Sequence, residues 1–143
     1  MIHSALRADR RRPAPSVLSP LSPAGYLRLR RKAAGLSVET VARRISANNQ
    51  DEARALVCLL ETEGTKARYR ETVEGFADAF PIDVDVYMQL RDTPGDQHPR
   101  ICRGCGCSEW DPCVAGDGTH TCAWHGLATC TRCVGEPAVP VHQ

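Results

Sequence analysis

The feature that most constrains this 143-residue chain is a dense cluster of cysteines in its C-terminal third. Seven of the eight cysteines lie in the stretch ICRGCGCSEWDPCVAGDGTHTCAWHGLATCTRC, residues 101–133. This stretch has few apolar side chains from which a core could form, so it needs a covalent or metal cross-link to fold. Disulfides, a bound metal ion and an iron–sulfur cluster are the candidates.

The cellular compartment separates these candidates. The leader MIHSALRADRRRPAPSVLSPLSP carries arginines where a signal peptide would have about seven or more apolar residues. No stretch approaches the roughly 20 consecutive apolar residues that span a bilayer. We therefore expect a cytoplasmic protein with reduced thiols and no membrane segment. An organellar transit peptide is the alternative for so basic a leader.

Two Cys-x2-Cys pairs in a reducing compartment are typical of zinc. Each pair places two thiolates on one tight turn, and two turns complete a tetrahedron. Cys102 and Cys105 form the first pair, Cys130 and Cys133 the second, and 24 residues separate them. We predict that these four cysteines bind Zn²⁺ in a closed, structural site.

The other clustered cysteines leave the number of metal ions open. Cys107, Cys113 and Cys122 could complete a second zinc site with His120 or His125. Alternatively, seven thiolates form two tetrahedral sites if one sulfur is shared between the ions. An iron–sulfur cluster is a further alternative, because thiolate ligands suit both metals.

The sequence favours a non-enzymatic protein. A catalytic zinc keeps an open coordination position and has an acid or base nearby, whereas thiolate-rich sites are usually closed. Glu109 and Asp111 are the only carboxylates close to the cysteines that could serve, and neither lies in a metallohydrolase or deaminase motif.

The region before the cysteines has the apolar period of helices. Apolar residues recur at i, i+3, i+4 and i+7 in three sets, each of which forms one helix face. The sets are Val38, Val41, Ala42 and Ile45; Ala53, Leu56, Val57 and Leu60; and Val73, Phe76, Ala77 and Phe80. Cap signals add a helix before and after these three. The expected boundary residues are Ser22 with Pro23, Gly35, Ser37, Gly64, Pro81, and Asp83 or Asp85.

Composition divides the chain into five predicted segments. These are a disordered basic arm at 1–21, a helical domain at 22–92, a linker at 93–100, a Cys-rich metal-binding module at 101–135 and a disordered tail at 136–143. The eighth cysteine, Cys58, neighbours Val57 and is expected in the helical core.

Three stretches, YLRLRRKAAGLSVETVARRI, LVCLLETEG and FADAFPIDVDVYMQL, resemble the lambda-repressor-like, xenobiotic-response-element family of helix-turn-helix domains. The resemblance covers about residues 22–92. It implies an all-α, five-helix helix-turn-helix-like domain that binds DNA, followed here by a small zinc-stapled knuckle. The knuckle resembles short Cys-rich modules of small phage and bacterial proteins, for which metal binding is implied. The matching positions in the helical domain are Ala34, Gly35, Leu36, Ser37, Val41, Ala42, Leu60, Glu61 and Gly64.

Charge is distributed unevenly along the chain, in a way that suits double-stranded DNA. Residues 1–50 carry ten Lys/Arg against two Asp/Glu, whereas residues 51–143 carry eight against fifteen. A basic arm and basic helices can contact phosphates or enter a minor groove, and amide and guanidinium groups can read base edges. The predicted phosphate contacts are Arg7, Arg10, Arg11, Arg12, Arg43 and Arg44. The predicted base contacts are Asn48, Asn49, Gln50 and Arg54.

One stretch, SANNQDEARALV, departs from the family pattern. It is longer than the usual turn before the recognition helix, and it opens that helix with Asp51 and Glu52, which repel phosphate. The alternative function is therefore a zinc-dependent interaction protein, in which the helical domain has lost DNA binding and the zinc module docks a protein partner. A homodimer that joins the basic half of one copy to the acidic half of another is a further alternative.

Overall fold

The computed structural model describes residues 19–114, 120–134 and 139–140 of the chain. Within these ranges the fold is mostly helical, which confirms the predicted all-α class. A two-residue antiparallel pairing, with His120 opposite Pro140 and Thr121 opposite Val139, supplements the helices. The elements are α1 (Pro23–Ala33), α2 (Val38–Ile45), α3 (Gln50–Leu60), α4 (Arg70–Ala79), α5 (Val84–Asp92), a 3₁₀ helix (Gly95–Gln97), β1 (His120–Thr121) and β2 (Val139–Pro140).

Helix caps form where the sequence predicts them. The Ser22 hydroxyl accepts a hydrogen bond from the Gly25 N–H at 2.9 Å, and Ser37 caps α2 in the same way. Asp83 caps α5. Gly35 adopts φ +73°, a left-handed conformation that glycine reaches without steric cost, and so turns α1 into α2.

Two turns differ from the expectation. Helix α3 ends at Leu60, four residues before the predicted Gly64, which adopts φ +92° and turns the chain towards α4. Only residues 46–49 separate α2 from α3, so the expected long turn is absent from this described stretch. The reason is that α3 begins at Gln50 and takes Asp51 and Glu52 into its first turn, where carboxylates favour a helix N-terminus.

The helices enclose one apolar core. Helix α2 packs against α3 and α4, and α1 packs against α3 and α5. On α4 the buried residues are Val73, Phe76 and Ala79, while the predicted Ala77 is only half-buried. The core expectation for Cys58 is wrong: the residue is exposed, because successive helical positions differ by about 100° and the buried face of α3 runs through Val57. The largest core side chains are Tyr26, Leu27, Val41, Val57, Leu60, Val73, Phe76, Phe80, Val86, Tyr87 and Leu90.

Two buried tyrosines of the core form hydrogen bonds with the backbone of other segments. The Tyr26 hydroxyl accepts a hydrogen bond from the Asp83 N–H at 3.0 Å, and the Tyr87 hydroxyl accepts one from the Ala67 N–H at 2.7 Å. Burial raises the pKa of Tyr26 to about 12 and also raises the pKa of Tyr87. Each hydroxyl thus satisfies a backbone N–H group of another segment.

The Cys-rich module continues the helical domain directly. Ile101, at its start, is 6% exposed and belongs to the helical core. In the predicted linker, Pro99 is buried and the His98 ring lies 2.8 Å from the Thr93 carbonyl. Leu21, assigned to the arm, packs against the core. A module with few apolar residues of its own thus shares the core of its neighbour.

Both predicted terminal segments lie largely outside the described residues. Residues 1–18 of the arm and 135–138 and 141–143 near the C-terminus are not described. Within the predicted tail, Val139–Pro140 pairs with β1. Among the described helices, none has the length and apolar character needed to cross a membrane.

Candidate metal centre

Six cysteine sulfurs meet in the Cys-rich module. They form two groups of four, and in each group all four sulfurs lie within 4.8 Å of one another. The first group is the predicted set of two pairs, Cys102, Cys105, Cys130 and Cys133. The second group is Cys105, Cys107, Cys113 and Cys130. Either group could hold a metal ion.

The sulfur separations match those around a tetrahedral ion. Bonds of about 2.3 Å to zinc place two sulfurs about 3.8 Å apart. The Cys102–Cys133 separation is 3.5 Å, Cys105–Cys113 is 3.6 Å and Cys105–Cys130 is 3.9 Å. All eight cysteines of the chain lie in the described ranges and are free thiols.

Tight turns hold the first group in place. The Cys102 N–H donates to the Cys107 carbonyl at 2.8 Å, and the Gly106 N–H donates back to the Cys102 carbonyl at 2.9 Å. The Cys102 sulfur accepts hydrogen bonds from the backbone N–H groups of Gly104 at 3.2 Å and Cys130 at 3.4 Å. These hydrogen bonds hold the Cys102 sulfur in position, which suits it to metal binding.

The crowded thiols cannot all ionise without a cation. A hydrogen bond from Cys107, with a smaller opposing effect of burial, lowers the pKa of Cys105 to about 4. The same hydrogen bond raises the pKa of Cys107, while burial raises that of Cys113 to about 12. A thiolate at one position thus disfavours ionisation of the thiols beside it. A bound divalent ion offsets this repulsion between negative charges.

The remaining predicted ligands stand apart from these groups. The Cys122 sulfur lies 3.8 Å from that of Cys107 but belongs to neither four-sulfur group. The backbone of His120 forms part of β1, and its side chain lies outside the described residues. Cys122 therefore contacts the cluster through its sulfur at Cys107 and through its backbone N–H, which donates to the Cys113 carbonyl at 3.0 Å.

Arg30 supports the centre from the helical domain, and the sequence pattern did not single it out. Its Nη1 donates to the Cys105 carbonyl at 3.2 Å, and its Nε donates to the Pro81 carbonyl at 3.0 Å. Its Nη2 lies 3.6 Å from the Asp111 carboxylate. A Cβ at Gly106 would lie only 2.5 Å from the Arg30 Cδ. In the sequence, only the glycines of CRGCGC indicate that another segment approaches this backbone closely.

Several of the predicted DNA contacts already make hydrogen bonds within the chain. Arg43 and Arg44 are both exposed; Arg43 donates to the Thr40 hydroxyl at 3.4 Å, and Arg44 donates to the Ala79 carbonyl at 2.7 Å. Arg54 pairs with Glu39 at 3.1 Å in an exposed contact. Asn48, Asn49 and Gln50 are exposed, and the Asn49 amide donates to Glu52 at 2.9 Å. The arm residues Arg7, Arg10, Arg11 and Arg12 lie outside the described residues.

Much of the positive charge on α1 is neutralised within the chain. Arg31 makes a two-hydrogen-bond pair with Glu61. Arg28 donates to the Glu61 carbonyl at 2.8 Å and lies 3.5 Å from the Glu63 carboxylate. These arginines connect helices, so they contribute less to a DNA-binding surface than their number in the sequence suggests.

Comparison of the chain with protein-family models, with curated proteins and with solved structures finds no match. The resemblance to lambda-repressor-like domains therefore stays a prediction.

Proposed function

We propose that the Cys-rich module binds zinc in a closed structural site, and that the helical domain on which it packs binds double-stranded DNA as a cytoplasmic transcriptional regulator. The observation that carries the DNA-binding part is the exposed polar start of α3, which follows α2 after only residues 46–49.

The ligand set and its spacing support zinc. Four sulfurs within 4.8 Å of one another fit a single tetrahedral ion, and a site made only of thiolates leaves no open position for a substrate. An iron–sulfur cluster places inorganic sulfide and further iron between the cysteines, so sulfurs on different irons stand farther apart.

Elemental analysis of chain purified under reducing conditions tests the metal. We expect zinc, and a protein without absorption in the visible range. Iron with acid-labile sulfide would contradict the zinc proposal.

The arrangement of α2 and α3 supports DNA binding. The Arg54–Glu39 pair brings the middle of α3 beside the start of α2, and Arg43 lies one turn after Glu39 on the same helix face. Arg54 lies one turn after Gln50 on α3, and the amides of Asn48 and Gln50 are exposed. Cations suit phosphates, and amide side chains can form paired hydrogen bonds with adenine.

Selection of bound duplexes from a random library tests this function with the zinc-loaded full chain. We expect enrichment of a preferred site, for which Arg54→Ala loses about 1–3 kcal/mol of discrimination. Arg43→Ala should weaken binding to all duplexes alike. Arg70→Ala, on α4, is the control because Arg70 pairs with Asp85 and Glu74 away from α3.

Protein interaction is the second candidate function, and a groove beside α3 favours it. The groove has a volume of about 440 Å³ and includes Ile45, Leu56 and Leu59, of which Leu59 is 54% exposed. An exposed leucine beside other apolar side chains is typical of a contact surface. Loss of binding to a protein partner, with duplex binding unchanged, in Leu59→Ser would favour this candidate.

A further inference from the structure

We propose that the module binds two zinc ions in one cluster, in which the sulfurs of Cys105 and Cys130 each bridge both ions. This inference rests on the zinc binding proposed above. Cys102 and Cys133 complete the first tetrahedron, and Cys107 and Cys113 complete the second.

The two four-sulfur groups overlap in a way that requires bridging. Each group is complete, and both contain Cys105 and Cys130. Two separate tetrahedral sites would need eight ligands, whereas the two groups together hold six sulfurs. A thiolate sulfur has enough lone pairs to bind two ions, so six sulfurs form two tetrahedra that share an edge. The shared edge is the 3.9 Å separation between Cys105 and Cys130.

Distances outside the shared edge fit the same arrangement. Cys102 and Cys133, the two terminal ligands of the first ion, lie 3.5 Å apart. Cys113, a terminal ligand of the second ion, lies 3.6 Å from the bridging Cys105. Both values are close to the roughly 3.8 Å expected between sulfurs on one zinc ion.

Charge also favours the shared cluster. One zinc ion with four thiolates has a net charge of minus two. A second ion that adds only Cys107 and Cys113 brings two positive and two negative charges, so the net charge stays the same. Two separate four-thiolate sites would double it. Arg30 and Arg132 line the cavity beside Cys105, Cys113 and Cys133 and lie where they can offset the remaining charge.

Cys122 distinguishes this cluster from a seven-thiolate site with one bridge. Its sulfur contacts that of Cys107 at 3.8 Å but is not within ligand distance of the whole second group. In the six-sulfur cluster Cys122 is therefore not a ligand, whereas the single-bridge arrangement needs it.

Native mass spectrometry and ¹¹³Cd NMR of the full chain test the proposal. We expect two zinc ions per chain. After exchange with ¹¹³Cd²⁺ we expect two resonances in the range of four-thiolate sites, with a resolved cadmium–cadmium coupling through the bridging sulfurs. One ion per chain would overturn the cluster and leave zinc binding intact. No ion would overturn both, and two ions without coupling would show separate sites.

Serine variants assign the ligands. Cys107→Ser and Cys113→Ser should each lower the count from two ions to one, because the group of Cys102, Cys105, Cys130 and Cys133 remains. Cys122→Ser should keep two ions, as should the control Cys58→Ser, whose thiol is exposed on α3. A count of one ion in Cys122→Ser would overturn the double bridge in favour of the seven-thiolate site. If a variant does not fold, the coupling in the unmodified chain still decides the proposal.

Discussion

Arg31 donates two hydrogen bonds to the carboxylate of Glu61, from Nε at 2.6 Å and from Nη2 at 2.9 Å. Only 11% of the Arg31 side chain and 9% of the Glu61 side chain are exposed. The third nitrogen, Nη1, donates to the Leu36 carbonyl at 2.9 Å. One arginine of α1 thus fixes both the turn into α2 and the end of α3.

Removal of Glu61 should therefore destabilise the helical domain strongly. Glu61→Ala leaves the buried Arg31 cation without its partner, so we expect a loss of about 3 kcal/mol in the free energy of unfolding. Urea unfolding followed by circular dichroism measures it. Arg70→Ala is the matched control, because its ion pairs are exposed and should contribute less than about 1 kcal/mol. Equal stabilities of the two variants would contradict this role.

Gly104 should be essential for metal affinity. A Cβ at this position would lie 2.7 Å from the Cys133 sulfur and 3.6 Å from the Cys102 sulfur. Gly104→Ala must displace a ligand, so we expect zinc transfer to a competing chelator at lower chelator concentration. Gly126→Ala is the control, since a Cβ there meets no atom within 4 Å. Equal zinc affinity in both variants would contradict this role of Gly104.

Metal removal should unfold the Cys-rich module and spare most of the helices. Bound metal supplies much of the folding free energy of so small a module. With excess chelator we expect proteolysis first within residues 101–133, while most of the helical circular dichroism signal remains. Cys102→Ser should have a smaller effect in the same direction, because Cys105, Cys107, Cys113 and Cys130 still form one four-sulfur group. The melting temperature of the helices should fall modestly, because Ile101 and the Arg30–Cys105 hydrogen bond belong to both parts. Unchanged proteolysis would contradict metal dependence.

The pKa of Tyr26 should make the fold sensitive to alkali. Because burial raises this pKa from 10.0 to about 12, the folded chain keeps a proton that the unfolded chain releases. The contribution to stability is complete below about pH 10 and is lost as pH rises through about 12, by about 2–3 kcal/mol. Urea unfolding at several alkaline pH values measures this loss. Tyr26→Phe should be less stable at neutral pH but should lose less stability in alkali; a parallel loss in both proteins would contradict the assignment.

Local signals made most of the helical domain predictable. The caps at Ser22, Ser37 and Asp83 and the turn at Gly35 depend on residues within four positions, and they form as expected. The pairing of Cys102 and Cys105 with Cys130 and Cys133 likewise follows from their spacing.

Contacts between distant segments were not predictable from spacing. In the sequence Arg30 resembles the other arginines of α1, and only the fold places Cys105 and Pro81 beside it. Cys105 and Cys130 belong to both four-sulfur groups because of how the two Cys-x2-Cys turns pack against each other, which the spacing does not determine. Cys58 was misplaced because a neighbour in sequence, Val57, lies on a different helix face.

The acidic first turn of α3 should weaken DNA binding. Asp51 and Glu52 lie beside the exposed residues that we propose to contact the duplex, and their charge repels phosphate. Asp51→Asn with Glu52→Gln should therefore tighten binding to all duplexes, as measured by fluorescence anisotropy. Asp85→Asn, on α5, is the control. Unchanged affinity in the double variant would place the duplex elsewhere on the chain.

The salt dependence of duplex binding by the zinc-loaded full chain tests the central claim most directly. Each neutralised phosphate releases counterions and contributes close to one unit to the log–log slope. We predict an affinity, measured by fluorescence anisotropy, that falls steeply with salt, and a smaller slope when Arg7, Arg10, Arg11 and Arg12 are replaced by alanine. Absence of binding at about 50 mM salt and micromolar protein would contradict DNA binding and leave the interaction-protein function in its place.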